Sequence, residues 1–373
     1  MNDLTNPLGF GGPSGRKLRL PVGAIAAVIT ASLFAGLAVW LMVVSDPLGG
    51  EPYARAKIET SETGYARADI ATVGVKSGTG ELLPPPSEIK PDAGVMVEGP
   101  TDAKATVALP IEADAALIET SPFGPLPRVA ADGRKPVDVY ARPVPSFVGA
   151  SPKIAIVVGD LGLSQTGTQE ALAKLPAEVT LGFAPYGASL DRWTAKARQD
   201  GHELLLQVPL EPFDYPDNDP GENTLLVGKD TRQNIENLHR VMARLTTYVG
   251  VVNYMGARFT SEAAALDPVM QEIALRGLLY LDDGSSPRSV AEQSAGKSKT
   301  TFAKADLIID AVPTPNEITA RLAQLEQIAR TRGLAVGVAS ARPATLKALA
   351  DWTGGLDGRG ITLVPISAVP HQN

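Results

Sequence analysis

Eight short apolar runs recur between residues 153 and 367, each closing on a polar or acidic side chain. They read KIAIVVGD, VTLGFAPY, HELLLQVPLE, VGVVNYMG, GLLYLDDG, ADLIID, GLAVGVAS and ITLVPIS, and they end near Asp160, Tyr186, Glu211, Tyr254, Asp283, Asp310, Ser340 and Ser367. Continuous Val, Ile and Leu without polar alternation is the pattern of a strand buried on both faces, and such strands belong to parallel sheets covered by helices. Helical periodicity fills most of the gaps. LSQTGTQEALAKL, SLDRWTAKARQDG and TRQNIENLHRVMARL follow the first three runs, with Ser164 and Ser189 placed as N-caps and Gly201 as a stop. EAAALDPVMQEIALRG, PNEITARLAQLEQIARTRG and RPATLKALADWTGG repeat the device, each closing on glycine. Strand and helix in regular alternation predict an α/β fold, and right-handed crossovers make a closed or nearly closed barrel of seven to eight parallel-strand units its natural form. An open doubly wound sheet is the alternative. In a barrel the chemistry gathers at the carboxyl ends of the strands, so the closing residues are the first candidates for a site.

The rest of the chain has a different character. Residues 21–44 form an uncharged apolar run long enough, at about 1.5 Å per residue, to cross about 30 Å of hydrocarbon. Its Leu, Ile, Val and Phe favour insertion by roughly 3 to 7 kcal/mol. Arg16, Lys17 and Arg19 precede it while Asp46 and Glu51 follow, so the positive-inside rule predicts a cytoplasmic segment at residues 1–20 and a single-pass anchor in the inner membrane. Everything after the anchor is then periplasmic. A cleaved signal peptide is the competing reading, but its apolar stretch runs only about 7 to 15 residues and ends in a small-residue site that VVSDPLGG lacks. Residues 45–132 are rich in Ala, Gly, Pro and Thr without sustained periodicity, which predicts a flexible linker, and the folded domain is expected over residues 133–373. GRKPVDVYARPVP, at residues 133–145, reads as an extended lead-in. The chain has no cysteine, which excludes disulfides, thiolate metal sites and a thiol nucleophile, and its net charge of −7 offers no footprint for nucleic acid.

KIAIVVGDLGLS, VTLGFAPYGASLDRWTAKARQDGHELLLQVPLEP, GVVNYMGARFT, GLLYLDDGSS and ASARPATLKAL together resemble the divergent polysaccharide deacetylase family, in matching order and spacing from about residue 133 onward. The resemblance is spread over several strand ends, among them His202-Glu203, Pro209, Glu211-Pro212, Met255-Gly256, Arg258-Phe259 and Asp282. It implies a deformed α/β barrel acting on envelope carbohydrate, a polysaccharide or peptidoglycan-type glycan. In the wider deacetylase group it also implies metal-assisted hydrolysis of an amide or ester. That chemistry needs imidazole and carboxylate around a divalent ion whose bound water is activated. In the family pattern an Asp-Asp pair ends the first strand, a His precedes the Leu-Pro of the third, and Asn-His-Met-Gly ends the fourth. Here those places hold Gly159-Asp160, Gln207-Val208-Pro209 and Asn253-Tyr254-Met255-Gly256.

One carboxylate position therefore survives, Asp160, and both imidazoles are replaced. His202, His239 and His371 are the only histidines, and none closes a strand. No cofactor is expected, unless a divalent ion binds at Asp160. If the chain is catalytic, Asp160 and Asp282 are the candidates, with Glu211 and Asp283 converging on the same mouth. If it binds, Tyr186, Gln207, Glu211, Asn253, Tyr254, Arg258 and Asp283 are the candidate contacts for a sugar, with Trp193 as a further flat face. Acids after strands also cap helices or pair with arginine, and Arg258 and Arg342 are available partners. A scaffold for another envelope protein is a third class. AEQSAGKS, at residues 291–298, loosely matches a phosphate loop, but no buried strand leads into it. Ser294 and Lys297 have S-x-x-K spacing without the companion motifs.

Overall fold

The computed structural model describes residues 107–144 and 151–369. The expected cytoplasmic segment, the apolar run at residues 21–44, residues 45–106 of the expected linker and His371 lie outside them. Among the described residues no helix is long and apolar enough to cross a membrane.

An antiparallel hairpin, β1 (Ile118–Ser121) and β2 (Gly124–Pro127), precedes a single helical turn, α1 (Pro136–Val139). Alternation then begins: β3 (Lys153–Leu161), α2 (Gln165–Lys174), β4 (Thr180–Phe183), α3 (Leu190–Gln199), β5 (Leu204–Leu210) and α4 (Thr231–Met242). It continues through β6 (Gly250–Met255), α5 (Ala263–Leu275), β7 (Leu279–Asp282), α6 (Ala291–Ser298), β8 (Thr301–Lys304) and β9 (Leu307–Ile308). Helix α7 (Pro315–Arg332), β10 (Leu334–Ser340), α8 (Pro343–Thr353) and β11 (Thr362–Val364) complete it. Ser164 caps α2 by accepting from the Gly167 N–H, as expected. Ser189 occupies the N-cap position of α3, but with a left-handed backbone, φ 56°, and no side-chain cap bond. Gly333 ends α7 with φ 83°, a conformation glycine adopts without Cβ strain.

All eight apolar runs become strands of one parallel sheet, ordered β8-β7-β6-β5-β4-β3-β10-β9, with β11 added on β3. Two stretches of chain change strand partner along their length. β10 takes one edge of β3; on the other, Lys153–Ala155 pair with β11 before Val157 onward pairs with β4. Likewise β8 pairs with β7, the Ala305 N–H donates to the Asp282 carbonyl, the Asp306 N–H donates to the Val336 carbonyl, and β9 pairs with β10. Residues 301–309 thus run diagonally from one end of the sheet to the other. This curls the sheet into a deformed, incomplete barrel and rules out the open doubly wound alternative. β8 was not among the apolar runs because Thr-Phe-Ala-Lys alternates and is flanked by polar residues.

Side chains alternate along β3 as the pleat dictates. Ile154, Ile156 and Val158 pack with the helices in the outer core. Ala155 and Val157 pack in the lumen with Leu205, Leu281, Val338 and Val364. The same inner cluster contains Leu117, Val137 and Tyr140 from the segment before β3, and Ile366 and Val369 after β11, which together plug the amino end. Residues 107–132 are therefore not a linker. They carry the hairpin, with Leu117 buried in the inner cluster, where the barrel's amino end offers apolar surface that no strand covers, and Leu126 buried in the outer core among the helices.

Candidate functional site

At the carboxyl end of the sheet a cavity of about 280 Å³ opens between β3, β5, β6, β7, β9 and β10. Val157, Val252, Ile308 and Val338 form its apolar floor. Its polar lining comes from the strand ends: Asp160, Gln207, Asn253, Tyr254, Asp283 and Asp310, together with Ser285 and Ser340. No Lys, Arg or His is among the lining residues.

Asp160 reaches the cavity through a backbone irregularity. By pleat parity an even-numbered residue of β3 faces the helices, but the register with β4 shifts between Val158 and Leu161, and Asp160 has φ 64°. A bulge of this kind re-aims one side chain. Gln207 holds the strained residue in place. The Asp160 N–H donates to Gln207 Oε1 at 2.9 Å, and Gln207 Nε2 donates to Asp160 Oδ1 at 3.2 Å. Gly159 makes this pairing possible, since a Cβ there would lie 2.8 Å from Gln207 Nε2.

Asn253 does for the opposite wall what Gln207 does for Asp160. Its Nδ2 donates to the Met255 carbonyl at 2.8 Å and its Oδ1 accepts the Asp283 N–H at 2.9 Å, locking β6 to the turn after β7. Asp283 caps that turn by accepting the Ser285 N–H, and burial, reinforced by neighbouring Asp282, raises its pKa above the usual carboxylate value. Burial first, and then the charge of Asp160, raises the Tyr254 phenol, which Arg342 partly opposes. Asp310 is 4% exposed; its Oδ2 accepts from the Ser340 N–H and from Thr345 Oγ1, each at 3.0 Å.

The other expected residues are occupied elsewhere. Asp282 is buried, with Oδ1 accepting the Gly284 N–H and Oδ2 accepting from Ser289 Oγ at 2.7 Å; it organises the loop and does not line the cavity. Glu211 and Arg258 pair with each other at 2.7 Å, and Glu211 Oε2 also accepts the Val227 N–H. That pair ties the long loop after β5 to the segment after β6, away from the lining. Tyr186 donates its hydroxyl to the Glu222 carbonyl at 2.6 Å and stacks on Gly221, again outside the cavity. Trp193 belongs to the outer core. Asp310 and Ser340, two of the residues that close apolar runs, also line the cavity, although neither is among the expected catalytic or sugar-binding residues.

The remaining sequence signals resolve as structure. AEQSAGKS is helix α6, and Ser294 and Lys297 both bond Asp267 of α5, at 2.6 and 3.0 Å. His202 is buried with Nδ1 at 2.8 Å from the Val179 carbonyl, and His239 pairs with Glu272 at 2.6 Å. The donor set at the mouth does not fit the ion that the resemblance implies. No imidazole lines the cavity, the Asp160 carboxylate is engaged by an amide N–H, and among the described residues no three His, Cys, Asp or Glu side chains come together as a metal would require.

Comparison with known proteins agrees with this architecture. The chain is 26% identical over 221 residues to YibQ of Escherichia coli, covering 59% of this chain and 68% of that one. It is 22% identical over 204 residues to a Haemophilus influenzae protein, covering 55% and 72% respectively. Both are described as uncharacterized. The crystal structure of an uncharacterized protein from Agrobacterium tumefaciens superposes with a TM-score of 0.65 at 50% identity, over 66% of this chain and all of that one. The profile of one family, described as divergent polysaccharide deacetylase, matches residues 156–369, from the second residue pair of β3 to the plug beyond β11. By that match, and by strand ends that follow the family's order, the chain belongs to the divergent polysaccharide deacetylase family.

Proposed function

We propose that this protein is a carbohydrate-binding member of its family, held in the inner membrane by residues 21–44 with the barrel in the periplasm, and that its mouth recognises an envelope glycan without hydrolysing it. The observation that carries the reading is the fit between Gly159, Asp160 and Gln207. Loss of a ligand set by drift leaves holes and unpaired groups. Here the missing aspartate has become the one residue small enough to admit the Gln207 amide, and that amide pairs with the backbone N–H and one carboxylate oxygen of Asp160. The site is rebuilt around hydrogen bonds.

A small concave site with an apolar floor and convergent polar groups suits a hydroxylated ring. Leu163, Phe213 and Val312, on loops that follow strand ends, are each about half exposed and offer apolar contact beyond the cavity. The anchor rests on the apolar run and its charged flanks. Hydrolysis would need an activated water, and the mouth supplies no imidazole to hold a metal that activates it.

The test is made on the purified full-length protein, supplied with peptidoglycan and N-acetylated oligosaccharide. Retention on the glycan without acetate release, with or without added zinc, is the expected result. Acetate release abolished by EDTA and restored by zinc would overturn the reading in favour of a metal-dependent deacetylase centred on Asp160. A reporter fused after residue 369 that scores as cytoplasmic would overturn the anchor.

A further inference from the structure

The cavity at the mouth is acidic in a way the hydrogen bonding does not use up. Asp160, Asp283 and Asp310 enter it from three different strand ends. Gln207 engages Oδ1 of Asp160, and Ser285 engages Oδ1 of Asp283. Asn253 also engages the Asp283 carboxylate, whereas Oδ2 of Asp160 accepts no hydrogen bond among the described residues. Asp310 lines the cavity and its two donors both meet Oδ2, which leaves Oδ1 to the cavity side. A carboxylate oxygen facing a cavity is an acceptor that a ligand's N–H or O–H can take over from water. No cation from the protein lines the space: Arg258 is committed to Glu211, and Arg342 is exposed on the rim, close to Tyr254. The three acids do not come together as a metal would require. They are instead spread around a space of about 280 Å³, near the lower end of the roughly 300 to 1,000 Å³ of small-molecule sites, with an apolar floor and the Tyr254 ring in the wall.

We infer that the mouth selects a saccharide carrying a free primary ammonium group, a de-N-acetylated hexosamine unit, over its N-acetylated counterpart. The inference rests on the carbohydrate-binding reading above and names its ligand. An ammonium group brings three N–H donors and a positive charge to acceptor-only carboxylates, while the ring hydroxyls meet Ser285, Ser340 and Tyr254. An acetamido group brings a single N–H, no charge, and a carbonyl oxygen that faces carboxylates with no donor to offer. The site is thus matched to what a deacetylation leaves behind, and the reaction that supplies its ligand is amide hydrolysis performed by another protein.

Calorimetric titration of the full-length protein with a glucosamine tetramer, an N-acetylglucosamine tetramer and spermidine separates the possibilities. The amine-bearing tetramer is expected to bind at least tenfold more tightly than the acetylated one. Asp283→Asn, which keeps an oxygen for the Ser285 N–H, is expected to weaken it about tenfold, the scale of one charge-assisted hydrogen bond. Asp310→Asn should do the same, with thermal melting used to confirm that each variant is folded. Equal or tighter binding of the acetylated tetramer would overturn this inference and leave the carbohydrate reading standing. Failure of both tetramers to bind would overturn both. Spermidine binding as tightly as the glucosamine tetramer would overturn the assignment to a sugar.

Discussion

The two ends of the barrel use buried polar groups in opposite ways. At the amino end Glu203, fully buried, accepts the Arg142 N–H at 2.7 Å, the Ser367 N–H at 3.2 Å and the Ser367 hydroxyl. Nearby Arg198, also fully buried, donates to the carbonyls of Tyr140 and Pro110 at 2.7 and 3.1 Å and lies over the Tyr140 ring. These bonds fasten the segment before β3 and the segment after β11 to the barrel floor. At the carboxyl end the acids keep open oxygens around a cavity. The difference teaches how this molecule uses its polar groups: at the plug they bond backbone and one another, although Arg198 Nη2 has no partner, whereas at the mouth acids line a cavity that a ligand can enter.

The comparison can be broken by mutation. The largest effect is expected for Glu203→Ala, which leaves the Arg142 and Ser367 donors facing apolar surroundings and Arg198 without its nearby counter-charge. Urea unfolding should show a loss of about 3 to 5 kcal/mol. A loss under 1 kcal/mol would mean the plug is not the stabilising end. Gln207→Ala is expected to be intermediate, about 2 kcal/mol, because it removes the acceptor that holds Asp160 in a left-handed backbone; the same measurement checks it, and faster amide exchange at Asp160 should accompany it.

The smallest effect, and of opposite sign, is expected at Asp283. Its folded pKa is raised above the ordinary 3.8 chiefly by burial. The contribution of such a group is fully present below its unfolded pKa and is lost as pH rises through the folded value. Asp283→Asn removes that loss, so the variant should gain on the native protein as pH climbs from about 3 to 7, reaching roughly 0.5 to 1 kcal/mol at neutrality. Unfolding midpoints across that range would show it. A variant that loses stability at pH 7 would place Asp283 with the plug, and the contrast would have to be redrawn.

The contrast also explains how much was legible beforehand. The barrel could be read because its strands are buried on both faces and write themselves as unbroken apolar runs. β8 and the β1–β2 hairpin could not, since Thr-Phe-Ala-Lys and Gly-Pro-Leu-Pro carry no such run and owe their structure to the edges they meet. At the mouth, Asp160, Tyr254 and Asp283 were legible as residues closing apolar runs, and Gln207 and Asn253 as residues at the positions of the family's motifs. Asp282 and Glu211 hold equivalent places but serve loops, and the direction a carboxylate takes at a strand end depends on local turns that periodicity does not encode. The Gly159–Gln207 pairing was invisible for a similar reason: its two members lie in different strands, and only the register brings them together.

The wedge of β11 on the edge that β3 also offers to β4 has a consequence for how the protein comes into being. Thr362–Val364 meet Lys153–Ala155 across some two hundred residues of intervening chain, and Ile366 then reaches Thr180. Ribosomal synthesis runs from the amino end, so the floor stays open until residues 362–366 have been made. Sealing of the floor therefore comes after synthesis of the strands it rests on, and until then its apolar lining faces solvent.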